Sequence, residues 1–96
     1  MYARITAFRM KPEEMDAATS KVEALKPRIL ALPGMQHFSL VAGDDGNGYV
    51  ISLIDDEAVA NPGSEQIKGI WSEMSQHLAA PPAAPVVCKV LADWEN

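Results

Sequence analysis

Apolar and polar residues alternate strictly at the start of the chain. Tyr2, Arg4, Thr6, Phe8 and Met10 fall on one side, and Ala3, Ile5, Ala7 and Arg9 on the other. A period of two with β-branched and aromatic residues predicts a strand over 2–10. The period then changes. Met15, Ala18, Val22, Leu25, Ile29 and Leu32 recur at steps of three and four, the single stripe of an amphipathic helix. Lys11-Pro12-Glu13-Glu14 opens that helix, because proline is tolerated in a first turn and acidic residues suit the positive dipole end. Pro27 is expected to kink the helix or end its regular part early, and Pro33-Gly34 closes it.

Two further strands are predicted at 35–42 and 49–54. Between them lies Gly43-Asp44-Asp45-Gly46-Asn47-Gly48, a turn-forming run that makes the pair a hairpin and lacks the ligand alternation of a calcium loop. Asp55-Asp56-Glu57 offers a helix cap before Pro62-Gly63 interrupts. Ser64 then caps a helix carrying Ile67, Ile70, Trp71, Met74 and Leu78 on one face. The stretch 79–85, with three prolines, is a stiff connector to a last strand over 86–94. The order β-α-β-β-α-β implies an α+β, ferredoxin-like fold: a four-stranded antiparallel sheet with two helices on one face, in a single domain spanning 1–96.

Two helices cover one side of a sheet, and a half-solvated sheet should alternate apolar with polar. The third and last strands do not. Tyr49, Ile51 and Leu53 oppose Val50 and Ile54, while Val86, Cys88, Val90 and Ala92 oppose Val87 and Leu91. Something must therefore cover the open face, and a second copy of the chain is the simplest cover.

Composition narrows the function classes. Leu, Ile, Val and Phe make up about a quarter of the 96 residues, which argues against intrinsic disorder. No run approaches the ~20 apolar residues of a membrane-spanning helix. Thirteen acidic against eight scattered basic residues give a net charge of −5, so neither nucleic acid nor an anionic membrane surface is an expected partner. The lone Cys88 excludes an intrachain disulfide and a cysteine zinc site, and reads as a small buried hydrophobe. The first ten residues do not read as a signal peptide, so a reducing cytoplasm is the expected location. No phosphate-binding loop, dinucleotide fingerprint or nucleophile elbow is present.

The element order, the length and the run of the second helix into a proline-rich link resemble the dimeric α/β-barrel superfamily, and within it the antibiotic biosynthesis monooxygenase-like family. The residues that carry the resemblance are Lys11-Pro12-Glu13, Leu32-Pro33-Gly34-Met35, Tyr49-Val50-Ile51-Ser52-Leu53 and Gln66-Ile67-Lys68-Gly69-Ile70-Trp71. The resemblance implies two sheets facing one another across a homodimer, with a ligand pocket between sheet and helices. It also implies a small aromatic or apolar ligand: members include cofactor-independent oxygenases of polycyclic phenols or quinols, and haem-degrading enzymes. The latter use an asparagine from the first strand, which is missing here. Trp71 and His77 also lie about 120° apart around a helix, so haem degradation is disfavoured. No cofactor and no metal is expected.

Within that frame the residues suggest roles. His37 is the candidate base for a phenolic proton if its side of the strand faces the pocket. Arg4, on a central strand, needs a partner or a ligand anion and is the candidate anion stabiliser. Thr6 shares its face. Trp71 could wall the pocket, Tyr49 could donate from its rim, and Asn61 could reach its mouth. Each also has a plain structural reading: core packing for Trp71 and Tyr49, a hydrogen-bonded or exposed position for His37, turn chemistry for Asn61, and a carboxylate across the dimer for Arg4. Glu73 and His77, four apart, read as a solvated pair on one helix face.

Overall fold

The computed structural model describes residues 1–56 and 65–96. Strand β1 (Tyr2–Arg9) is followed by a 3-10 turn at Pro12–Glu14 and helix α1 (Met15–Leu30). The hairpin β2 (Met35–Ala42) and β3 (Asn47–Ile54) comes next. Helix α2 (Glu65–Met74), a 3-10 turn at Ser75–His77 and strand β4 (Val86–Lys89) complete the order. The sheet runs β2-β3-β1-β4, with every neighbouring pair antiparallel. This is the predicted βαββαβ arrangement, and it sets β1 in the interior of the sheet.

The stripe read for the first helix is its inner face, with Ala18, Leu25 and Ile29 buried. Pro27 does not stop it. The helix runs one turn further, and the Ala31 N–H closes it on the Pro27 carbonyl. Phe8 from β1, Met10 just after it, and Met74 and Leu78 from the α2 region meet α1 in one core.

The β2–β3 turn is held by paired backbone bonds between Gly43 and Asn47 and between Gly43 and Gly46, each 2.9 Å. Gly46 takes φ +87, a left-handed conformation that favours glycine, and its carbonyl accepts from the Met10 N–H at 2.8 Å. The Asp45 carboxylate accepts from both the backbone and side-chain N–H groups of Asn47 at 3.0 Å, and these bonds hold its pKa below the usual carboxylate range. That is turn chemistry rather than a cation loop. Gly48 is required by close approach: a Cβ there would lie 2.2 Å from the Val41 carbonyl oxygen and 2.7 Å from Phe8.

Residues directly opposite in register share a side of the sheet. Ile5 stands opposite both Ile51 and Val86, Ala3 opposite Leu53 and Cys88, and Tyr49 opposite Val41. These form the face away from the helices, and Val86, Tyr49 and Val41 are 59%, 51% and 45% exposed. The two-sided apolar character read from the third and last strands is thus present, with one face uncovered in the single chain.

Three expectations need correction. The last strand ends at Lys89, not Trp94: Lys89 pairs with Tyr2, the first residue of β1, and the Val90 N–H donates to the Met1 carbonyl. Leu91 and Trp94 are consequently about nine-tenths exposed. Cys88 is exposed in the chain, not buried, because β4 is an edge strand and Cys88 points to the open face. His77 does not pair with Glu73: α2 ends at Met74, so the helical spacing fails before His77. Glu73 instead accepts from Arg28 and lies 3.6 Å from Lys21, and the bond from Arg28 holds its pKa below the usual range. His77 is buried, with Nδ1 3.2 Å from Glu14 across the start of α1. The helix cap at Asp55-Asp56-Glu57 extends past the described residues, and Pro62-Gly63 and Ser64 lie outside them.

Candidate ligand-binding site

Because β1 lies between β3 and β4, its helix-facing residues sit under both helices. Arg4, Thr6 and Phe8 form that face, and Ser52 of β3 stands directly opposite Arg4. Arg4, Thr6 and Ser52 are 9%, 5% and 4% exposed, so one guanidinium and two hydroxyls are sequestered on an otherwise apolar floor. Above them is a cavity of about 80 Å³. Its walls come from α1 (Val22, Leu25, Ile29), from α2 (Ile67, Ile70, Trp71, Met74) and from the ends of the strands. Trp71 meets Phe8 with ring centroids 6.4 Å apart and planes tilted by 55°, an ordinary aromatic packing geometry.

Burial disfavours the charged form of Arg4 and lowers its pKa from the ordinary value. A guanidinium nonetheless stays protonated at neutral pH. The floor therefore sets a cation beside two hydroxyl groups in a low-dielectric setting, where charge-assisted hydrogen bonds are stronger than in water. Among the described residues, no histidine, aspartate or glutamate lines the cavity, and no group of three metal-ligating side chains occurs.

Of the residues singled out in the sequence, Arg4, Thr6 and Trp71 come together in this cavity. His37 does not. It is exposed on the opposite face of the sheet, opposite Leu53 in register, with Nε2 3.3 Å from the Ser39 hydroxyl. The condition on which it was a base for this pocket is not met. Exchange of His37 for glutamine is accordingly expected to change ligand affinity of the cavity by no more than about twofold, the range of a surface substitution, as read by titration calorimetry. A loss beyond that would mean that the imidazole reaches the cavity. Tyr49 is also on the open face and does not rim the cavity. Asn61 lies outside the described residues. Ser52 escaped the sequence reading, although it is the sole polar residue in the run 49–54 and its alternation sets it on the side of Val50 and Ile54.

No protein-family model matches the sequence, and no curated protein matches it with significance. Solved structures do match the fold. One is an antibiotic biosynthesis monooxygenase, 18% identical with TM-score 0.70, aligned over 96% of this chain and all of the other. A second is Rv0793 from Mycobacterium tuberculosis, 18% identical with TM-score 0.68 and 98% of each chain covered. A third is NE2512 from Nitrosomonas europaea, a protein of unknown function, 17% identical with TM-score 0.68, covering 99% of this chain and 93% of that one. The chain has the antibiotic biosynthesis monooxygenase-like fold. The resemblance read from the sequence holds at this level, and the monooxygenase name recurs in provisional form among further neighbours of this fold. At such identities the likeness fixes architecture and leaves activity to be argued from the site.

Proposed function

We propose that the chain is a homodimeric, cytoplasmic small-molecule pocket protein that holds a flat phenol or quinol between sheet and helices and promotes its oxidation by O2. The observation that supports this reading is the buried Arg4–Thr6–Ser52 floor beneath apolar walls. A ring packs against Trp71 and Phe8, and its oxygen points to the floor. Arg4 stabilises the phenolate over the phenol, so the proton leaves to water without a protein base. The anion then gives an electron to O2, and recombination at a ring carbon with loss of water leaves a quinone. The protein supplies desolvation, orientation and anion stabilisation. The dimer is supported by the uncovered apolar sheet face.

A non-catalytic ligand-binding homodimer of the same fold is the second reading. The lack of any carboxylate or imidazole among the described cavity residues favours it. The two separate in one experiment with 1-naphthol as probe. Anaerobic fluorescence titration measures binding, and an oxygen electrode measures turnover after air is admitted. The oxygenase reading expects saturable binding and protein-dependent O2 uptake; binding with no uptake supports the second reading, and no binding sinks both. Arg4→Met should weaken binding by about tenfold or more while retaining the fold, since a charge-assisted hydrogen bond contributes about 1.5–3 kcal/mol. Equal affinity would remove Arg4 from the site.

A further inference from the structure

We infer that Trp71 is the door of the cavity, and that ligand passes through the groove between α2 and the proline-rich stretch after Leu78. What enters rests on the reading above; the route does not. The motive is a mismatch of size. A cavity of about 80 Å³ has room for a few waters, and an apolar cavity of ~150 Å³ is what admits a single benzene ring. A wall must move before any fused ring system fits.

Among the described residues, two outer grooves share wall residues with the cavity. One, of about 650 Å³, lies between α2 and residues 79–82 and shares Ile67, Trp71 and Leu78. The other, of about 200 Å³, lies between α1 and β2 and shares Val22, Ile29 and Phe38. The smaller groove is the narrower of the two, and Ile29 at its base is 4% exposed in the core, while Phe38 stands on a strand paired with Ser52. On the larger side Leu78 is also fixed, by its bridge to Met10 and its bond to the Ser75 carbonyl. Trp71 hangs from a helix and is partly exposed, as Phe38 and Ile67 are, but it is the largest of the three and has the cavity and Phe8 on one side and the wider groove on the other. A partly exposed side chain at the surface of a helix changes rotamer without backbone rearrangement. Swinging out the largest side chain in the wall joins the two spaces into a volume typical of ligand sites, roughly 300–1,000 Å³.

The test uses a thiol probe, not the ligand. Cys88→Ser removes the native thiol, and Ser52→Cys sets a new one on the cavity floor. Methyl methanethiosulfonate then reports access: the thiolate attacks its sulfenyl sulfur, a methyl disulfide forms and methanesulfinate leaves. Intact mass follows the rate. Trp71→Ala should speed modification, and Ala80→Trp, which plugs the larger groove from an exposed position, should slow it. Each change is expected on the order of tenfold, as befits a local opening rather than global unfolding. Lys26→Trp, in the smaller groove, should leave the rate within about twofold. Slowing by Lys26→Trp with indifference to Ala80→Trp overturns the proposal, and so do equal rates in every variant, which would mean access by unfolding. Should Trp71→Ala fail to fold, Ala80→Trp and Trp71→Phe decide the matter, since neither empties the wall. Failure of 1-naphthol to bind would sink the ligand reading and leave this route standing, and the converse holds as well.

Discussion

Replacing Leu53 by glutamate is expected to halve the mass seen by light scattering behind size exclusion, from about twice 10.4 kDa to 10.4 kDa. Leu53 lies on the uncovered face of β3, flanked in register by Ala3 and His37 and near Ile5 and Ile51. That face is contiguous and largely apolar across β1, β3 and β4, whereas soluble monomers rarely expose apolar patches beyond a few hundred Å². In the proposed dimer a carboxylate at 53 would be taken out of water in each subunit with only the His37 imidazole beside it, a cost of several kcal/mol that association would have to overcome. The parent chain should also show a thermal midpoint that rises with concentration, and the variant should not. A control on the outer surface of α1, Ala24→Glu, should remain dimeric. A parent chain that stays folded at the monomer mass at micromolar concentration would dismiss the sheet-face dimer.

Gly48→Ala is expected to lower stability by about 3 kcal/mol or more, at or above the upper end of ordinary overpacking. The added methyl would meet the Val41 carbonyl at 2.2 Å, and a backbone oxygen held in the β2–β3 ladder cannot yield as a flexible side chain would. It would also press on Phe8 at 2.7 Å, and Phe8 supports Trp71. At roughly 4–8 °C per kcal/mol for a domain of this length, the midpoint should fall by on the order of 12–24 °C. Calorimetry showing a shift of only a degree or two would mean that the hairpin slides to accommodate the methyl, and that β3 register is not fixed at this point.

Local periodicity carried most of the architecture. The β-prone run 35–42 marks β2 to the residue, although a bulge between Met35 and His37 breaks its alternation, and the three-four spacing after Pro12 marks the inner face of α1. What failed depended on distant partners. Val86 to Trp94 alternates like a strand throughout, but a strand extends only as far as its neighbour, and β1 starts at Tyr2. Alternation groups His37 with Ser39 and Val41, and Arg4 with Thr6 and Phe8, but does not say which of these sides the helices cover; that follows from the register of the sheet. The Arg4–Ser52 pairing is a matter of antiparallel register between residues 48 positions apart, which no short-range pattern encodes. His77 meets Glu14 in the same way, across a gap of 63 positions.

The stretch after Leu78 has a consequence for how the protein survives on its own. Ala79 and Ala83 donate to the Arg9 and Ala7 carbonyls, so the chain from Leu78 to Val90 lies alongside β1 almost without a break, although only Val86–Lys89 forms regular strand. Pro81, Pro82 and Pro85 in that border have no N–H to offer an incoming strand. The border is therefore an edge blunted against fibril growth along most of its length, with the four residues of β4 left as the one unguarded step. On this side of the sheet, opposite the β2 edge, strand addition should accordingly begin at Val86–Lys89, and replacing the three prolines should lengthen the sticky segment rather than strengthen the native sheet.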